Sequence, residues 1–342
     1  MPAKKQILVL RFSAMGDVAM CVPVIKTLLD QNPEVDIVFA SRAGFKEFFS
    51  NIPRVTYFAA DFNKAYRGWK GVLKLFGDLK KEGNFTALAD LHDNLRTKIL
   101  RRLFRLRGLS VAYIDKGRSE KKQLTRFPGK ILKPLKRTTE RYADVFRKLH
   151  FTVNLDYNLD YKPRQLTKDI IKITGQKITP WVGIAPFAKH TGKIYPPELT
   201  EKVIALLDHK EVRIFLFGGS EPERELCLKW QQRYGSVISL VQELTMEQEL
   251  IAISNLNVMV SMDSAGMHLA SLEGVPVVSV WGATHHYAGF LGYGQSEKDV
   301  VGDDLECRPC SVYGNKPCFR KDYACLHRIL PETIVSKVEN YL

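Results

Sequence analysis

The sequence predicts an α/β protein of two Rossmann-like domains facing a cleft. Short apolar runs rich in β-branched residues alternate with longer segments of helical spacing or charge, the pattern of βαβ units on a parallel sheet. The alternation occurs once in each half of the 342 residues, a length that suits two domains of ~150 residues. Between the halves, Tyr161–Pro180 is polar and lysine-rich and reads as a hinge. The expected domains are residues 1–165 and 175–342.

In the first half, strands are expected at Ile7–Arg11, Asp36–Ala40, Val55–Ala59, Ala87–Leu91 and Ser110–Ile114. In the second, they are expected at Val182–Pro186, Val212–Phe217, Val237–Leu240, Val258–Met262 and Val275–Trp281. Helices between them are expected at Pro197–Asp208, Glu221–Tyr234, Met246–Ser254 and Gly266–Glu273. No sequence repeat relates the halves, so they share architecture only.

No apolar stretch approaches the ~20 residues that span a bilayer. Met1-Pro2-Ala3-Lys4-Lys5-Gln6 leads into a short apolar run ended by Arg11, unlike a signal peptide. The expectation is a cytosolic protein with reduced cysteines. Its net charge of +14 points to an anionic partner. That charge is concentrated: Arg96–Arg141 holds sixteen Lys and Arg against Asp115, Glu120 and Glu140. A solvated helix face and loop would account for such a run. Its few aromatics (Phe104, Tyr113, Phe127) argue against stacking on single-stranded nucleic acid. Lysines interrupted by Leu, Phe and Ile suit an anionic membrane surface better.

Three loops stand at expected carboxyl ends of strands, where open α/β sheets bind ligands. In Ser13–Asp17, Gly16 allows a tight turn or a close ligand approach, and Asp17 is either a helix cap or a reactive carboxylate. In Ala185–Pro197, Lys189 and Lys193 flank Gly192 ahead of a helix, an arrangement fit for a polyphosphate or for plain solvation. In Ser261–Leu269, the amides of Ser264, Ala265 and Gly266 follow Asp263 and are candidates to face a phosphate. His268, one turn on, reads as a core histidine or a ligand contact. Neither G-x-x-x-x-G-K-[ST] nor G-x-G-x-x-G is present, which disfavours nucleotide hydrolysis and dinucleotide oxidoreduction.

Arg11-Phe12-Ser13-Ala14-Met15-Gly16-Asp17 resembles the R-x-S-x-x-G-D opening of bacterial heptosyltransferases, glycosyltransferase family 9. Lys193-Ile194-Tyr195-Pro196 resembles their K-x-W-P loop, and Gly218-Gly219-Ser220 with Glu223 their G-G-x-x-x-E turn. Asp263-Ser264-Ala265-Gly266-Met267-His268 is similar to their D-[ST]-G-x-x-H, and Gly282-Ala283-Thr284 to their G-P-T.

The resemblance implies a GT-B fold and an inverting, metal-independent transfer of heptose from an ADP-sugar to a lipopolysaccharide core or lipid A-linked acceptor. No cofactor is then required, the ADP-sugar being a substrate. Asp17 matches the family's base, with Lys193 assisting catalysis at the leaving diphosphate. Lys189, Glu223 (or Glu221, should the register slip), Asp263, Ser264, Ala265, Gly266, His268 and Thr284 would bind the donor. Ser13, Gly16, Asn94, Arg96, Lys121 and Lys122 would meet a phosphorylated, lipid-linked saccharide acceptor. The protein is expected to be a monomer on the cytoplasmic face of the inner membrane, with no nucleic-acid partner. Departures from the family pattern at Ala265, Gly266, Lys189, Ala283 and His285-His286 leave another nucleotide sugar as the alternative donor. A non-catalytic binder of anionic lipid or nucleic acid is a further alternative.

Cys307, Cys310, Cys318 and Cys325 contain one C-x-x-C pair where a four-cysteine zinc site usually has two. Zinc, reduced structural thiols and disulfides all remain open. Cys21 and Cys227 read as core residues.

Overall fold

The computed structural model describes residues 5–156 and 161–342. The Met1–Lys4 part of the leader lies outside them. The chain forms two compact units, Met1–Lys116 with Arg137–Tyr157, and Gly117–Lys136 with Asn158–Leu342.

In the first unit five parallel strands are β1 (Lys5–Leu10), β2 (Val35–Ser41), β3 (Val55–Ala59), β4 (Phe85–Asp90) and β5 (Ser110–Tyr113), ordered β3-β2-β1-β4-β5. Central β1 is buried from Ile7 to Leu10, as a strand covered on both faces requires. Leu8, Leu10, Val38 and Leu88 pack there with Leu75, Leu79, Leu100 and Phe104 of the flanking helices. The first unit recovers the chain at 137–156 because helix Thr138–Arg147 buries Tyr142, Val145 and Phe146. Asn32 fixes the return, donating from Nδ2 to the Thr152 carbonyl at 2.7 Å and accepting from its amide at 3.2 Å.

In the second unit six parallel strands are β6 (Trp181–Ala185), β7 (Arg213–Leu216), β8 (Val237–Ser239), β9 (Val258–Met262), β10 (Val277–Val280) and β11 (Val300–Val301), ordered β11-β10-β9-β6-β7-β8. Val182, Ile184, Val258, Val260 and Val278 form its core with Val203, Ile204 and Leu207 of helix Pro197–Asp208 and Val338 of the last helix.

The ten expected strands are all present. The structure departs from expectation in three places. Edge strand β11 has only two residues, too short to leave a pattern. The expected hinge contains a helix, Lys168–Thr174, capped by Thr167 and burying Ile170 and Thr174. Most consequentially, residues 117–136 belong to the second unit, not the first. Leu124 and Leu135 are buried against Ala288, and the Leu135 amide donates to the Tyr287 carbonyl at 2.9 Å. The basic run is thereby divided between the two units.

Candidate active site

In the first unit the site forms where β1 and β4 end. Asp17 is the third residue of helix Met15–Ala19, and its carboxylate accepts from the Ala14 amide at 3.1 Å. It therefore does perform a capping contact. The same oxygen, Oδ2, lies 2.6 Å from Nη2 of Arg11, the residue that follows β1. The Arg11 side chain is 7% exposed and that of Asp17 is 30% exposed. Arg11 is fixed further by donating Nη1 to the Leu91 carbonyl at 2.6 Å and by lying over the Tyr142 ring. Tyr142 and Asp17 raise its pKa despite its burial. The guanidinium is thus an anchored counter-charge, and the carboxylate is the member of the pair that meets solvent. Sequence reading quoted Arg11 but gave it no role; a lone cation closing a buried strand was the available signal.

His92 is the second residue that sequence reading missed. Its Nδ1 accepts from the Phe12 amide at 3.1 Å, so the ring is neutral there. Burial, Arg11 and Lys116 push its pKa down to about 3. Buried Asp90 holds the loop by accepting from the His92 and Asp93 amides, each at 2.9 Å. Ser13 is half-buried and Gly16 buried beside Asp17. Asn94 is a helix cap: its side-chain oxygen accepts from the Thr97 amide at 2.9 Å, and its amide group lies against His92. Arg96 stacks its guanidinium 4.3 Å from the Phe62 ring centre, with a buried Nε that meets no acceptor among the described residues. Arg42 is close enough to lower its pKa, after burial.

The structure does not place Lys121 and Lys122 in this unit. Both lie on helix Arg118–Leu124 of the second unit. Lys121 is buried with its ammonium 4.2 Å from the Phe290 ring centre, whereas Lys122 is exposed. Their expected place in the acceptor domain is corrected by the apolar anchoring of Leu124 and Leu135.

In the second unit the site forms where β6 and β9 end. Lys193 closes a 3-10 turn, Thr191–Lys193. Its Nζ lies 3.0 Å from Asp263 Oδ2, the lysine side chain 16% and the aspartate 5% exposed. The turn is locked to the next loop, because the Gly192 carbonyl accepts from the Ala283 amide at 2.8 Å. A Cβ on Gly282 would fall 2.6 Å from that carbonyl, which explains the glycine. Gly266, in helix Ala265–Leu272, approaches β6 so closely that a Cβ would lie 2.5 Å from the Ala185 Cβ.

Of the three amides expected to face a phosphate, that of Ser264 is already committed, donating to the Met262 carbonyl at 2.7 Å. Ala265 and Gly266 are the first two helical residues, whose amides have no acceptor within a helix. His268 is buried one turn on, and Lys189 is exposed. Glu223 caps helix Glu221–Arg233, accepting from the Gly219 and Ser220 amides at 2.7 and 3.0 Å. Its carboxylate thus shapes the Gly218–Ser220 turn.

Thr284 is fully buried, and its carbonyl accepts from Arg308 Nε at 3.2 Å. Arg308 also donates to the Gly282 carbonyl at 2.8 Å and so holds this turn, while the buried Thr284 hydroxyl meets no partner among the described residues. Cys307, Cys310, Cys318 and Cys325 are free and line one cavity beside Arg308. Among the described residues, no group of three His, Cys, Asp or Glu is gathered to hold a metal ion. Burial pushes the Cys325 thiol up to about 12. Cys21 and Cys227 are fully buried core residues, as expected.

Parallel-sheet units with polar loops at their strand ends are the architecture of a GT-B glycosyltransferase, and the comparisons with known proteins agree. Residues 72–318 match the model of Glycosyltransferase family 9 (heptosyltransferase), and the chain belongs to that family. It is similar to the lipooligosaccharide heptosyltransferase 2 of Campylobacter jejuni, 26% identical over 63% of this chain and 72% of that one. It also resembles the lipopolysaccharide core heptosyltransferase OpsX of Haemophilus influenzae, 22% identical over 82% of this chain and 79% of the relative. The crystal structure of a family 9 glycosyltransferase from Veillonella parvula covers all of this chain and 98% of its own, at TM-score 0.76 and 16% identity. The E. coli heptosyltransferase WaaC, solved with ADP-2-deoxy-2-fluoro heptose, covers 98% of this chain and 100% of its own at TM-score 0.68 and 17% identity.

Proposed function

We propose that this glycosyltransferase moves heptose from ADP-heptose to a lipopolysaccharide-core acceptor, with inversion, at the cytoplasmic face of the inner membrane. The observation that carries the reading is the pair of strand-end sites. One unit offers a carboxylate backed by a buried guanidinium. The other offers an ammonium backed by a buried carboxylate beside a helix start.

In this reading Asp17 takes the proton of the acceptor hydroxyl as its oxygen attacks the anomeric carbon. The bond from that carbon to the diphosphate breaks, and ADP leaves. Its growing charge is met by Lys193 and the amides of Ala265 and Gly266, not by a metal ion. Arg96, with Arg42 nearby, supplies positive charge for an anionic acceptor. The relatives named above include enzymes of lipooligosaccharide and lipopolysaccharide synthesis and a structure carrying an ADP-heptose analogue, which supports this donor and acceptor.

Calorimetric titration with ADP-, UDP- and GDP-sugars, followed by turnover on a lipid A-linked core acceptor, tests the reading. Binding confined to the ADP-sugar, with transfer of heptose, is expected. Tight UDP-sugar binding without an ADP response would overturn the donor assignment.

A further inference from the structure

Residues 121–136 of the second unit contain six Lys and Arg and no acid. After Leu124 the backbone runs to Lys136 without helix or strand, yet it is tied down. Buried Leu124 and Leu135 anchor its ends, the Ile131 amide donates to the Gln123 carbonyl at 3.2 Å, and Lys130 Nζ donates to the Pro309 carbonyl at 3.3 Å.

A loop so fixed would be expected to turn its large apolar side chains inward. This one leaves Phe127 48%, Ile131 48% and Leu132 51% exposed. Phe319, itself 58% exposed, stacks on Phe127 with ring centres 5.5 Å apart, extending the apolar surface onto the 316–321 segment. Exposed cations flank these residues in the chain: Arg126, Lys133 and Lys136 on the loop, and Lys316 and Lys321 on the segment of Phe319. Arg320 is neutralised locally by Asp322.

Contiguous exposed apolar surface rimmed by charge marks an interaction site. The cations call for an anionic partner. Aliphatic Ile131 and Leu132 have no use on a nucleic acid, whose bases are held by aromatic stacking. Apolar side chains that enter the acyl boundary while flanking Lys and Arg meet headgroups are the features of an interfacial anchor. No described helix is long and apolar enough to cross a membrane.

We infer that the 126–134 loop, with Phe319, seats this enzyme on the surface of an anionic bilayer. The inference rests on the reading of a lipid-linked acceptor only for its purpose, since vesicle binding and sugar transfer are measured separately. The patch belongs to the unit that also carries Lys193, so docking falls to the donor-side unit.

The test is co-sedimentation with phosphatidylglycerol-containing vesicles and with pure phosphatidylcholine vesicles, at low and physiological salt. The parent should bind the anionic vesicles preferentially. The exposed-site variant Phe127→Ser/Ile131→Ser/Leu132→Ser should lower that binding at least roughly tenfold at both salt concentrations. Arg126→Gln/Lys133→Gln should lower it roughly tenfold at low salt and less at physiological salt. Both variants should keep the parent's ADP affinity and its turnover on a short, lipid-free acceptor.

Anionic-vesicle binding by the triple-serine variant equal to the parent's would overturn the inference. So would a parent indifferent to lipid charge, or one that binds no vesicles, the patch then being a protein-docking surface. Loop-dependent vesicle binding by an enzyme inactive on ADP-heptose would leave the inference standing and remove the donor reading instead.

Discussion

The two units carry the same device with its members exchanged. Each holds an acid and a cation within 3.0 Å of one another at its strand ends, both after β1 in the first unit and after neighbouring β6 and β9 in the second. In the first unit the cation is the buried member and the carboxylate faces outward. In the second the carboxylate is buried and the ammonium is the more exposed. A buried ion pair contributes little net stability, because desolvation offsets the attraction, but it fixes the geometry of whichever partner meets solvent. The first unit therefore turns a negative charge outward and the second a positive one, which on the proposed mechanism are the proton acceptor and the cation for the leaving diphosphate.

Breaking the exposed member of the first pair should have the largest effect. Asp17→Asn keeps the shape and removes the base, so turnover should fall by roughly 10²–10⁴-fold. Steady-state kinetics on the core acceptor measures it.

Breaking the buried members should cost stability as well as rate. Arg11→Met leaves Asp17 without its counter-charge, and Asp263→Asn leaves Lys193 without its own. Loss of about 1–3 kcal/mol is expected for each, below the 3–5 kcal/mol of fully enclosed pairs because one partner retains solvent. Urea unfolding reads this. Stabilities within ~0.5 kcal/mol of the parent would show the pairs to be surface contacts.

Lys193→Ala should weaken ADP binding by about 1.5–3 kcal/mol, the worth of one charge-assisted contact. Calorimetry measures the loss, and an unchanged affinity would return Lys193 to the status of a solvated loop residue.

Glu249 sharpens the comparison from the other side. It has no ion pair or side-chain hydrogen bond among the described residues, and burial alone pushes its carboxyl up to about 7. An unfolded glutamate titrates near ~4.3, so folding favours the neutral form. That contribution is complete below the unfolded value and is lost as pH rises through about 7. Glu249→Gln should therefore be the more stable protein at pH 8, by about 1–2 kcal/mol after allowance for residual exposure, and should differ little at pH 4. Thermal melts at the two pH values measure it.

The sheets were legible because buried parallel strands are nearly continuous apolar runs, as in Ile7–Leu10 and Val258–Met262. The strand-end motifs were legible too, through Asp17, Lys193 and Asp263. What each side chain does inside its loop was not. Glu223 and Asn94 read as ligand contacts, yet both close helix starts, a local use that their residue types serve equally well. Thr284 read as a donor contact, and only tertiary packing reveals Arg308 against its carbonyl. The division of the basic run escaped sequence reading because charge dominates its composition. Its placement is decided by two leucines, Leu124 and Leu135, which find Ala288 more than 150 residues away.

On the proposed mechanism the outward member of each pair does the chemistry of its own unit and no other. The most direct test is the ADP affinity of Asp17→Asn, measured on the same preparation as its turnover. A parent-like affinity beside a turnover reduced by roughly 10²-fold or more is expected on that mechanism. Retained turnover, or a parallel loss of ADP affinity, would contradict it.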